Sequence, residues 1–244
     1  MRILSYNIRR GGSGRASAIA EVIALASPDI VVLQEATHPG VVGELGVRLS
    51  MQAVAAEGQS LAFLSRIPIA RHAWRRPRIS RHAFLEIQPA DMAFRIFGLH
   101  LSAVHAAWTE RRRMLELRAL LRGIAAHQHG FHVLVGDFNT LAPGELLDVR
   151  QLPGRLRALV WLSGGTIRFR TIRRVLDAGY VDAFRTLHPD APGPTFPVWN
   201  PHVRLDYLFL PSAWRAALIA SEVVMNGPVA QASDHLPLLT ELLV

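Results

Sequence analysis

Cysteine is absent from all 244 residues, which excludes disulfides and thiolate metal sites and leaves oxygen or imidazole as the only holders of a metal. That absence leaves the redox compartment undetermined. Lysine is absent too: all 27 basic residues are arginine, against 19 acidic ones, and the net charge is +8. A balance of that sign favours anionic partners such as nucleic acid, phospholipid headgroups or phosphorylated metabolites. Exclusive use of arginine has two explanations, bidentate phosphate contacts and the base composition of the genome, and the sequence does not separate them. No apolar run reaches the roughly 18 residues of a membrane span. Met1 leads straight into Ile3-Leu4 without a basic n-region and a long h-region, so no signal peptide is expected and a soluble cytoplasmic protein is the default. No internal repeat or low-complexity linker breaks the chain. With 50% hydrophobic residues it can bury a substantial core, and one domain over 1–244 is expected.

The chain is organised around Phe131-His132-Val133-Leu134-Val135-Gly136-Asp137-Phe138-Asn139, an apolar run that stops on a carboxylate and a carboxamide. Its aliphatic residues do not alternate with polar ones, which predicts a strand covered on both faces, and Gly136 admits a close approach where it ends. If strand geometry persists, Asp137 and Asn139 point one way and Phe138 points back into the core. An acceptor and a donor so paired suit a phosphate and its attacking water, although both residues also serve as turn formers. Other segments repeat the theme. Arg2 to Ile8 predicts a strand with Asn7 near its end, Ser17 to Ala26 a helix, and Ile30 to Glu35 a buried strand ending on a carboxylate, together a βαβ pattern. From Val41 to Pro77 the pattern is weaker and strand-like, clearest over Ser60–Ser65. Residues 83–87 and 94–100 predict neighbouring strands, the second ending on His100. Thr109 to about His127 predicts a helix with Thr109 as N-cap and an apolar stripe of Met114, Leu117, Leu121 and Ile124. Its Arg111, Arg118 and Arg122 share a face that, alone, reads as solvated. Residues 204–210 form a strand with Asp206 near its start, and Ser233-Asp234-His235 precede a final strand. Antiparallel neighbours set one strand's start beside another's end, so a mixed sheet can gather Asn7, Glu35, His100, Asp137, Asn139, Asp206, Asp234 and His235 on one rim.

In that order, Tyr6-Asn7, Gln34-Glu35, His100-Leu101, Gly136-Asp137-Phe138-Asn139, Leu205-Asp206-Tyr207 and Ser233-Asp234-His235 resemble the endonuclease/exonuclease/phosphatase superfamily, to which deoxyribonuclease I, AP endonucleases and neutral sphingomyelinases belong. Each motif is short; their joint occurrence spans nearly the whole chain. The resemblance implies a four-layer α/β sandwich, two mixed sheets face to face with helices outside, and Mg²⁺-dependent phosphoester cleavage, with Mn²⁺ able to substitute. It implies Glu35, Asn7 and Asp234 at the metal, Asp137 on the attacking water, Asn139 and His100 on phosphoryl oxygens, and His235 as acid or electrostatic stabiliser oriented by Asp206.

Departures narrow the branch. AP endonucleases carry an acidic or amide residue two after the first Asn, where this chain has Arg9, and a Trp where it has Pro201-His202-Val203; they also lack the counterpart of His100, so abasic-site repair is disfavoured. A phosphoester hydrolase is expected, a phosphodiesterase first and a phosphomonoesterase also open, with a nuclease on DNA or RNA, a sphingomyelinase-like phospholipid hydrolase and a hydrolase of small phosphorylated metabolites as alternatives, and a non-catalytic phosphate-binding module as an alternative of another class. The partner is then an anionic phosphoester, with nucleic acid and a membrane surface both open, and the chain is expected to be a monomer. Residues 141–176 form a long insertion after the Asp-Phe-Asn turn, and its stretch 150–174 mixes arginines with Leu159, Trp161 and Phe169. It is expected to shape substrate choice at an anionic or membrane interface, or else to cap a sheet as a helical hairpin.

Overall fold

The computed structural model describes residues 1–78, 80, 82–102, 107–127, 129–145 and 170–244. Most of the insertion, residues 146–169, lies outside the described residues.

Two mixed six-stranded sheets pack face to face. The first holds β1 (Arg2–Asn7), β2 (Ile30–Gln34), β3 (Gln52–Val54), β4 (Leu61–Ser65), β11 (Leu218–Val223) and β12 (Leu238–Leu242), in the order β11-β12-β1-β2-β4-β3. The second holds β5 (Ile69–Arg75), β6 (Phe84–Pro89), β7 (Arg95–His100), β8 (His132–Asp137), β9 (Tyr180–Asp182) and β10 (Asp206–Pro211), in the order β5-β6-β7-β8-β10-β9. Each sheet has one parallel pair, β1 with β2 and β7 with β8, and each such pair is linked by a crossover helix. These are α1 (Ala16–Ala26) and α3 (Ala107–Gly123). Further helices are α2 (Pro39–Leu49), α4 (Arg170–Asp177) and the short α5 (Ala183–Leu187) and α6 (Val229–Ala232).

Side-chain alternation along the strands divides the core into three layers. Ile3, Val32, Phe63, Leu85, Ile96, Val133, Val135 and Leu208 meet between the sheets. Leu4, Tyr6, Val31 and Leu33 face the other way onto Ile19, Val22 and Ile23 of α1 and Val42 and Leu45 of α2. Phe97, Leu99, Leu134 and Phe209 pack on Leu117 and Leu120 of α3 and Ile172 and Val175 of α4. This is the four-layer sandwich. The non-alternating Val133-Leu134-Val135 follows from burial on both faces.

Three expectations need correction. Residues 39–49 are helical, not strand-like: Pro39 stands in the first turn, and Val42, Leu45, Gly46 and Leu49 recur at helical spacing on the buried side. Thr109 lies inside α3 and does not cap it. The polar strand ends are collected from two sheets rather than one.

Candidate active site

Strand direction decides which ends meet. β1 and β2 run in parallel, so Asn7 and the residue after Gln34 emerge together; β7 and β8 do likewise, pairing His100 with Asp137. β10 runs against β8 and sets Asp206 opposite Asp137, while β12 runs against β1, with Ser5 opposite Leu238, so Ser233–His235 enter at the same edge. Asn7 joins the sheets: its Nδ2 donates to Asp137 Oδ2 at 3.0 Å and to Glu35 Oε1 at 3.3 Å.

Four residues of this rim adopt the left-handed conformation without being glycine: Arg9 (φ 50°), Arg10 (φ 47°), Glu35 (φ 54°) and Asn139 (φ 51°). Each such residue costs of order 1–3 kcal/mol, and such strain gathers where side chains must be aimed. Glu35 therefore stands just beyond β2, its Oε2 accepting from the Arg10 amide at 2.7 Å. Asn139 does not continue the strand. Its amide donates to Asp137 Oδ1 at 2.8 Å, closing an Asx-type turn, and its Nδ2 donates to the Leu101 carbonyl at 3.0 Å. Phe138 points into the core, as expected.

Asp206 Oδ2 and His235 Nδ1 are 2.9 Å apart, and His235 Nε2 looks across 3.9 Å to Asp137 Oδ2. His100 Nε2 stands 3.9 Å from the same oxygen. All four groups are buried. Burial works against a charge on His235, but Asp206, its hydrogen bond and the further charges of Asp137 and Asp234 prevail and lift its pKa to about 9. Asp137 is pushed up to about 7, first by burial and then by the Asp206 charge, against the pull of His235, the Asn139 amide and Asn7.

Two neighbours, His82 and Phe196, were not foreseen from the sequence, and Ser233, visible there only as part of a motif, has a role that was not. His82 stacks on His100 with ring centroids 4.8 Å apart and an interplanar angle of 18°. Phe196 covers His235 at 4.8 Å. Ser233 Oγ donates to the Asn7 carbonyl at 2.6 Å and tethers the Ser-Asp-His turn to β1. His82 and Phe196 carry no spacing signal, because each is placed by a segment remote in sequence from the residue it covers. Arg9, noticed as a departure, lays Nε 3.3 Å from Asp234 Oδ2.

The donors suit a hard divalent cation. Among the described residues Asp206 Oδ1 is buried without a hydrogen-bond partner, and ligand atoms of Asp137, Asp206 and His235 lie within 4.8 Å of one another. A His235 that carries a proton and bonds Asp206 through Nδ1 is a poor ligand, however. Glu35, Asn7 and Asp234 on the first-sheet side offer oxygen donors, the kind Mg²⁺ prefers, and Asn7 Nδ2 ties to Glu35 Oε1 at 3.3 Å.

The sequence matches the model of the Endonuclease/Exonuclease/phosphatase family over residues 4–235. This chain belongs to that family. It is accordingly a phosphoester hydrolase. Among curated proteins none matches the sequence. Solved structures with the same fold include the 3′ phosphatase NExo from Neisseria bound to a product DNA hairpin, with TM-score 0.72, 20% identity and 100% of both chains covered. An AP endonuclease from Archaeoglobus fulgidus has TM-score 0.74 at 17% identity, again covering 100% of both chains. A family member from Beutenbergia cavernae has TM-score 0.72 at 21% identity, covering 99% of this chain and 71% of the other.

Proposed function

We propose that this family member is a Mg²⁺-dependent phosphodiesterase in which water attacks phosphorus, with a nucleic-acid strand as substrate. The observation that carries the reading is the Asp206–His235 pair, 2.9 Å apart, facing Asp137 across the junction of the sheets. Glu35, with Asn7 and Asp234, would hold the metal, which supplies charge neutralisation at the phosphate. Asp137, its pKa raised towards neutrality, is tuned to orient the attacking water and take its proton. His235, kept cationic by Asp206, stabilises the charge gathering on the phosphoryl oxygens and can give its Nε2 proton to the leaving oxygen as the P–O bond breaks. His100 donates to another phosphoryl oxygen. Asn139, whose amide is engaged by Asp137 and Leu101, positions Asp137 and has one Nδ2 hydrogen left for substrate.

Nucleic acid is favoured over phospholipid by the rim itself. Arg9 and Arg10 are exposed beside Glu35, and Trp199, 68% exposed, extends from Phe196, which lies on His235. Basic groups with an aromatic platform suit a single strand. The NExo structure, bound to a DNA hairpin, is consistent with that choice. The basis for a membrane substrate was residues 150–174, of which 150–169 lie outside the described residues.

The test is a hydrolysis screen over plasmid DNA, RNA, phospholipids and inositol phosphates, with and without Mg²⁺. Nucleic acid should be cut only with metal, and His235→Ala should lose about two to four orders of magnitude in rate while staying folded. Near wild-type turnover in that variant removes His235 from the chemistry, and preferential phospholipid cleavage overturns the substrate assignment.

A further inference from the structure

The helices α3 and α4 lie side by side on the outer face of the second sheet, and both start at the catalytic end. There Glu110 of α3 accepts the Thr171 amide of α4 at 2.7 Å and the hydroxyl of Thr140, next to Asn139, at 3.2 Å. Both helices finish at the opposite end of the sheet, where β8 starts and β10 stops. From Asp137 back to His132, β8 alone separates the two ends by about 17 Å.

Where the helices finish there is a cleft of about 760 Å³. That is the size of a small-molecule site. Arg118 and Arg122 of α3 and Arg174 of α4 line it together with Leu121, Ile124 and Pro211, and no carboxylate is among its lining residues. Among the described residues none of the three guanidinium groups makes a hydrogen bond or an ion pair.

Helix ends account for part of this charge, since Arg122 and Arg174 sit in the last turns of their helices. Each carboxyl end carries roughly half a negative charge, so two ends offset about one of three arginines and leave roughly two positive charges over. Arg118 lies four residues before Arg122, a like-charge spacing that weakens a helix and so has no justification within α3. Three forks without a partner among the described residues, beside an apolar wall, form a recognition surface for phosphate groups attached to an apolar body.

We propose that this cleft is a second binding site, remote from the catalytic rim, for a small anion with two or more phosphates, of nucleoside diphosphate size. The three arginines hold the phosphates, and Leu121, Ile124 and Pro211 carry the base and sugar. The site is independent of the hydrolytic mechanism and gives the enzyme a place to sense or retain a nucleotide while the rim turns over.

Calorimetric titration of ADP into the full chain, with EDTA present to keep metal from the rim, tests this. One saturable event is expected in the wild type and, unchanged, in His235→Ala. Arg122→Ala and Arg174→Ala, both exposed changes, should each weaken it about tenfold or more, as for the loss of a charge-assisted phosphate contact. Adenosine should not bind. Absence of ADP binding overturns the proposal, as does binding that is lost in His235→Ala but untouched by the arginine changes, which belongs to the rim. Lower melting temperatures in the arginine variants with unchanged affinity assign those residues to the helix ends alone. An oligonucleotide that binds through the same arginines far more tightly than ADP makes the cleft part of a strand track and overturns the small-ligand assignment.

Discussion

Arg9 and Glu35 act in opposite senses on the proposed metal. Glu35 brings a full negative charge that the Arg10 amide and Asn7 only orient. Replacing it by Gln leaves a neutral ligand, so the Mg²⁺ concentration for half-saturation should rise roughly tenfold, about 1.4 kcal/mol. Arg9 competes for Asp234, but its side chain is 45% exposed and water screens the pair. Arg9→Ala should therefore tighten metal binding only by roughly two- to fivefold. Titration of Mn²⁺ followed by electron paramagnetic resonance reads both; an unchanged affinity in Glu35→Gln removes that residue from the metal, and a weakened one in Arg9→Ala contradicts the competition. At this scale the sequence was informative wherever an apolar strand stopped abruptly on a polar group, as at Asn7, His100 and Asp137. It was silent on His82 and on the buried Arg113, which bonds Glu110 and the Ser102 carbonyl inside the fold. An arginine on a helix reads as solvated until the tertiary partners that bury it are known.

Among the elements, the parallel β7–β8 pair sets the catalytic geometry, and Gly136, opposite Leu99, leaves no room for a side chain between the two strands. Its φ is 146°, and a Cβ there would stand 1.9 Å from the Leu99 carbonyl oxygen, which belongs to backbone and cannot swing away. Gly136→Ala should cost about 1–3 kcal/mol or more by overpacking, and it should push His100 away from Asp137. Urea unfolding at several temperatures, paired with turnover under conditions where the variant is still folded, separates the two effects. Stability and turnover both near wild type would mean that the strands have slack at that point. The sequence disclosed this glycine because it interrupts an aliphatic run one residue before a carboxylate. It concealed α2, since Val41-Val42 and Val47 are β-branched and glycines at 40, 43 and 46 dilute the helical pattern. There the packing of Val42 and Leu45 on the first sheet outweighs local propensity. The union of two sheets at one rim was equally hidden, because a strand's polar end does not state which sheet it belongs to.

For the whole molecule, the absence of lysine and cysteine makes alkaline pH unusually informative. In most chains lysines and thiols begin to titrate above neutrality; here neither is present and His235 is raised into that range, and no helix among the described residues is long and apolar enough to cross a membrane. The folded pKa of His235 lies above its ordinary 6.5, at about 9. A group raised in this way adds stability that is complete below the unfolded pKa and disappears as pH climbs through the folded one. Asp137, raised from 3.8 to about 7, has the same sign over a lower window, since burying its charge costs more once the proton leaves. Melting temperature measured in EDTA should therefore carry a fall from about pH 4 to 7 from Asp137 and a further fall from about pH 6.5 to 9 from His235. Asp206→Asn removes the charge that chiefly raises His235, so the upper part of that fall should move towards neutral pH; it also relieves Asp137, whose part of the fall should move lower. A melting temperature that is flat across the window in the wild type, or an identical profile in Asp206→Asn, would separate these three side chains electrostatically and with them the proposed division of labour between a cationic imidazole and a carboxylate base.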